Sequence, residues 1–105
     1  MQFAKAVRSF VKRLPKTIGN IEDSKQLIKA SGSVGANYIE ANESLSKKDF
    51  SMRAKISRKE AKESRYWLKL VDTNLNQDLE SERIALINES TELMNIFGSI
   101  LQKFK

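Results

Sequence analysis

The chain has 105 residues, 40% hydrophobic and 30% charged, with a formal net charge of +6, and this length suits one domain built on one core. It has neither cysteine nor histidine, which removes disulfides, thiolate nucleophiles, the usual general base at neutral pH and the commonest metal ligand, so no catalytic residue, metal or cofactor is expected. No run of about 18 apolar residues and no secretory leader occurs, so a non-membrane, cytoplasmic protein is expected.

Phe3, Val7, Phe10, Val11 and Leu14 recur at three- and four-residue steps with Lys5, Arg8 and Lys12 opposite, which predicts an amphipathic helix over residues 2–14. Pro15 cannot continue it, and Gly19-Asn20 supplies a turn. A second helix is expected over residues 22–44, capped by Asn20 or Asp23, with Leu27, Ile28, Ser31, Val34, Tyr38 and Ile39 on its inner face. Its middle is rich in small residues from Ala30 to Ala36. Two interior glycines, Gly32 and Gly35, each cost about 1 kcal/mol in a helix, so either another backbone approaches closely there or the helix breaks near Gly32.

Ser46-Lys47-Lys48-Asp49 has the spacing of a capping box with Asp in place of Glu or Gln. A third helix should start there and run to residue 73, its inner line being Phe50, Ala54, Ser57, Ala61, Ser64, Leu68 and Val71. After a short loop at 74–78, a fourth helix is expected over residues 80–103. Ile84, Ile87, Thr91, Met94 and Leu101 form its central row, and Leu86, Leu93, Phe97, Ile100 and Phe104 flank it. Four helices with short connections bury their stripes most simply as an all-α, up-and-down antiparallel four-helix bundle, a single domain over residues 1–105.

The charge is unevenly placed. Residues 1–29 hold seven Lys or Arg against two acidic residues, and residues 47–69 hold nine against three. At 100° per residue Lys48, Lys55, Lys62 and Lys69 share one line of the third helix, with Arg58, Lys59 and Arg65 beside it. Such a ridge, joined by Arg8 and Lys12 of the first helix, attracts polyanions, and phosphate contacts give affinity without sequence readout. The calculated pI of 9.7 points the same way. RNA or DNA is therefore the expected partner, and the plain alternative is a solvated charged face. No helix-turn-helix, zinc or stacking motif accompanies the ridge.

Another face of the third helix carries Met52, Ile56, Glu60, Glu63, Trp67 and Leu70. One bundle core does not require it, so Ile56, Trp67 and Leu70 are expected at a self-association interface, unless Trp67 simply closes one end of the core. Glu60 and Glu63 stand three residues apart, a commonplace helix spacing, and di-metal bundles need Glu-x-x-His. Pairing with Arg53, Lys59 or Lys62 is the expected role of these carboxylates.

Ser33-Val34-Gly35-Ala36-Asn37-Tyr38-Ile39-Glu40-Ala41, then Asp49-Phe50, Lys59-Glu60-Ala61 with Glu63 and Trp67-Leu68, and finally Glu92-Leu93 with Ile96 and Ser99-Ile100, run through nearly the whole chain. In order and spacing they resemble the bacterial 23S rRNA-intervening sequence proteins. The resemblance implies an up-and-down bundle assembled as a homopentamer. It also implies kinship with the accessory variability proteins of diversity-generating retroelements, which bind nucleic acid and a reverse transcriptase. It supplies no catalytic residues, and it marks Asn37, Glu40, Glu60 and Glu63 as motif positions of structural character. A non-enzymatic, oligomeric nucleic-acid binder is the expected function, with a protein-interaction module as the alternative.

Overall fold

The computed structural model describes residues 2–104, and four helices account for most of them: α1 (Gln2–Lys12), α2 (Ile18–Asn42), α3 (Lys47–Leu70) and α4 (Gln77–Gln102). No strand occurs among the described residues. Each helix touches the next in sequence, and α4 touches α1, while α1 and α3 lie diagonally opposite. This is the expected up-and-down four-helix bundle, 46 Å long and 19 Å across.

The inner line of α3 sets the spacing of the bundle. Ala54, Ser57, Ala61, Ser64 and Leu68 are all buried, and four of the five are small. Ser57 Oγ donates to the Val34 carbonyl oxygen of α2 at 2.9 Å, a bond that so short a side chain makes only when the two backbones run close. The small residues expected to permit close approach do so beside Val34. Gly32 is different: a Cβ there would meet nothing within 4 Å, and α2 passes through it unbroken.

Helices of 25, 24 and 26 residues span about 36–39 Å, whereas the 11 residues of α1 span about 16 Å. The bundle therefore has two halves. Where α1 is present, Phe3, Val7, Phe10 and Leu14 join Leu27, Leu68, Val71, Leu79 and Leu86 in the main core. Beyond α1 only three helices remain, and a smaller cluster of Val34, Ala61 and Phe97 is closed by Tyr38, Leu93, Met94 and Ile100. Tyr38 meets Phe97 edge-on there, with ring centroids 5.6 Å apart.

Several helix ends differ from expectation, each for a local reason. Helix α2 begins at Ile18, because Thr17 caps it by accepting from the Asn20 amide at 3.1 Å. Asn20 is no cap. It is buried, and its Nδ2 donates to the carbonyl oxygens of Pro15 at 3.0 Å and Asp72 at 2.7 Å, while its Oδ1 accepts from the Asp72 amide at 2.8 Å. That clasp holds the start of the α3–α4 loop against the α1–α2 turn and ends α3 at Leu70, where Val71 turns extended. The loop then crosses Asn74 and Leu75, both with positive φ, and Asn76 caps α4 by accepting from the Leu79 amide at 3.0 Å. Ser46 caps α3 as expected, accepting from the Asp49 amide at 3.1 Å.

Two core assignments also change. Ile39 is 64% exposed and Ile84 54% exposed, so neither lies on an inner face. The buried line of α4 is instead Leu79, Leu86, Ser90 and Phe97. Ser90 is tolerated inside because its hydroxyl donates to the Ile87 carbonyl oxygen at 2.7 Å.

Replacing Gly32 with Ala should raise the denaturation midpoint by up to about 1 kcal/mol of stability with an unchanged slope, since helix propensity improves and nothing is displaced. Asn20→Ala removes three hydrogen bonds at a buried site and is expected to cost about 2–4 kcal/mol in the same measurement.

Candidate nucleic-acid interface

Seven residues make almost two full helical turns, so Lys48, Lys55, Lys62 and Lys69 climb one line of α3 about 10.5 Å apart. All four are exposed, as are Arg58 and Lys59. Arg65 is half-buried, and its Nη1 donates to Thr91 Oγ1 of α4 at 3.3 Å. The seven predicted cations of α3 thus share one continuous surface. Arg8 and Lys12 do not join them. Both are exposed on α1, which lies diagonally across the bundle from α3, so they form a separate basic face.

Ion pairing decides how much of this charge is available. Among the described residues the pairs are Arg13–Glu82, Lys25–Glu22 and Arg83–Glu80. None involves α3, although α3 holds nine Lys or Arg. The expected pairing of Glu60 or Glu63 with Arg53, Lys59 or Lys62 is not formed. Arg53 turns inward instead, donating from Nη1 to Asn37 Oδ1 at 3.1 Å, while Asn37 Nδ2 donates to the Ser33 carbonyl oxygen at 2.9 Å. Asn37 is thereby a structural link between α2 and α3.

A groove of ≈ 540 Å³ runs between α3 and α4. One wall is basic, made by Lys55, Arg58, Lys59 and Lys62; the other is neutral, made by Met94, Gly98, Leu101 and Gln102. Past Lys55 it opens into a second hollow that reaches Lys48, Lys103 and Phe104, with Asp49 as its one carboxylate. The Phe104 ring is tilted over Phe50, centroids 5.1 Å apart. Gly98 shapes the middle of this surface: atoms of the Arg58 guanidinium lie 3.7–3.9 Å from where a Cβ would stand, so the flat group settles against α4. Sequence reasoning missed the groove because its walls lie far apart along the chain. The available signal was a glycine inside a predicted helix.

The apolar face of α3 is divided. Ile56 and Trp67 are half-buried, and Trp67 packs on the main core with the Tyr66 ring edge-on at 4.9 Å. Met52 at 49% and Leu70 at 50% stay exposed. Trp67 thus serves the core at least in part. Glu60 is half-buried beside this face, and its pKa is raised, first by burial and then by Glu63, against the pull of Lys59 and Lys29. No helix among the described residues is long and apolar enough to cross a membrane.

Comparison with known proteins agrees with this architecture. A family model described as 23S rRNA-intervening sequence protein matches residues 1–99. A crystal structure of a protein of unknown function from the S23 ribosomal protein family of Bacteroides thetaiotaomicron superposes with a TM-score of 0.80 at 29% identity, covering 95% of this chain and 92% of that one. No curated protein matches the chain.

The raised pKa of Glu60 has a testable sign. Between the unfolded value, about 4.5, and the higher folded value, the folded chain binds more protons, so stability falls as pH rises through that window. Glu60→Gln should therefore raise the melting temperature at pH 7, and thermal melts repeated below about pH 4 should show the advantage gone.

Proposed function

We propose, from the premise that this chain belongs to the family of 23S rRNA-intervening sequence proteins, that the outer surface of α3 binds RNA or DNA through its phosphates, without reading sequence. What supports this most is a single observation: nine cations stand on one helix, and among the described residues none of them forms an ion pair. Unpaired Lys and Arg keep their full attraction for polyanions, and displaced counterions supply the binding free energy. The side chains reaching the surface are flexible and regularly spaced, which suits a repeating backbone rather than particular base edges.

The acting form in this reading is a cytoplasmic homo-oligomer, a pentamer as the resemblance implies, held in part by the apolar face around Ile56 and Leu70. Repeating the ridge around such an assembly multiplies the effective concentration of phosphate-binding groups. A second reading, a non-enzymatic module whose partner is another protein such as a reverse transcriptase, is favoured by the exposure of Met52, Tyr66 and Leu70 on α3. Exposed aromatic and long apolar side chains are typical of protein interfaces.

Titration of labelled RNA and duplex DNA at several salt concentrations tests the first reading. Engaging four lysines predicts a log–log slope of about −3.6 on duplex. The triple variant Lys55→Glu, Lys62→Glu, Lys69→Glu should bind at least about a hundredfold more weakly with unchanged helical content. Binding that is absent at low salt, or indifferent to salt, counts against the first reading. Light scattering of the wild-type protein at micromolar concentration should give several times the monomer mass.

A further inference from the structure

We infer that the groove between α3 and α4 is built for a single nucleic-acid strand rather than a duplex, its lysines taking the phosphates and its neutral wall taking base faces. This rests on the nucleic-acid reading above and adds to it which form is bound and where.

The asymmetry of the groove carries the inference. Were phosphates the only target, a convex ridge would serve, and a duplex would lie along Lys48, Lys55, Lys62 and Lys69 with its bases turned inward. Here Lys55, Lys59 and Lys62 instead rise beside a wall made by Met94 and Leu101 of α4. A strand laid between the walls places its charged edge and its apolar edge on matching sides. In a duplex the base faces are stacked on one another and cannot reach Met94 or Leu101.

Arg58 gives the second reason. It is exposed, makes no ion pair among the described residues, and its guanidinium lies flat against α4 over Gly98. A planar cation held in this way is a stacking surface for an unpaired base. At the far end the exposed Phe104 ring, backed by Phe50, offers a further apolar plane next to Lys48 and Lys103. From Lys48 to Lys62 the helix rises about 21 Å, room for about six nucleotides of a stacked strand. The one carboxylate, Asp49, lies at the entrance beside Lys47 and Lys48.

The test compares fluorescence anisotropy of a 12-nucleotide single strand and of a duplex with the same number of phosphates, at one fixed low salt concentration. The single strand should bind at least tenfold more tightly. Gly98→Leu, which pushes a side chain into the groove and displaces Arg58, should remove that preference and leave duplex affinity within twofold. Equal affinity for the two forms, or a preference untouched by Gly98→Leu, overturns the groove while leaving the basic ridge standing. Failure of both forms to bind overturns the ridge and the groove together. Should Gly98→Leu not fold, photocrosslinking with a thiouracil-bearing strand asks the same of the wild-type chain: crosslinks within residues 94–102 support the groove, and crosslinks confined to α3 overturn it.

Discussion

The close seam between α2 and α3 governs much of what this bundle can do. Ala54, Ser57, Ala61 and Ser64 leave α3 almost no bulk on its inner side, so α2 comes near enough for the Ser57 hydroxyl to reach the Val34 carbonyl oxygen. A helix seated by alanine and serine gains little apolar burial of its own, and Leu68 is the one large side chain fully buried on that line. Its long side chains are left to the outer surface, and most of them are Lys or Arg. Tight packing on one side and unneutralised charge on the other are two consequences of the same sequence.

The short first helix divides the labour along the bundle axis. Where α1 packs, large apolar side chains fill the core, and the polar clasps lie at that end too: Asn20 on Asp72, and Arg83 joining Glu80 to the Lys69 carbonyl oxygen. Hydrogen bonds from Arg83 and then Thr73 hold the Glu80 carboxyl below its usual range. Beyond α1 the core thins to Val34, Ala61 and Phe97. The basic groove extends from there to the N-terminal end of α3 and the C-terminal end of α4. Stability and the candidate binding surface are therefore drawn largely from different residues, and surface charge can change with little effect on folding.

Periodicity was enough to read the four helices, the Ser46 cap and the inner line of α3 from Ala54 to Leu68, because each depends on neighbours three or four residues away. The features that escaped depend on residues distant in sequence. Asn20 looked like a cap from its place after Gly19, yet its partner is Asp72, 52 positions on, and that bond fixes where α3 ends. Ile84, expected in the central row of α4, is exposed, and Ser90 is buried instead, since a broad apolar arc does not say which of its edges faces the neighbours. Arg8 and Lys12 carry the same charge as the ridge but lie across the bundle, because nothing in a helix's own pattern fixes which helix stands opposite. The groove is the clearest instance: its basic wall was visible in the sequence, while its neutral wall belongs to another helix.

The two basic faces, one on α3 and one on α1, offer the most direct test of the central claim that unpaired charge on α3 is the binding surface. Backbone amide shifts can be followed by NMR while a short oligonucleotide is added to the wild-type protein. The account predicts shifts concentrated between residues 48 and 69 of α3 and on the facing side of α4, with α1 undisturbed. Shifts centred on Arg8 and Lys12, or none at low salt, would contradict it.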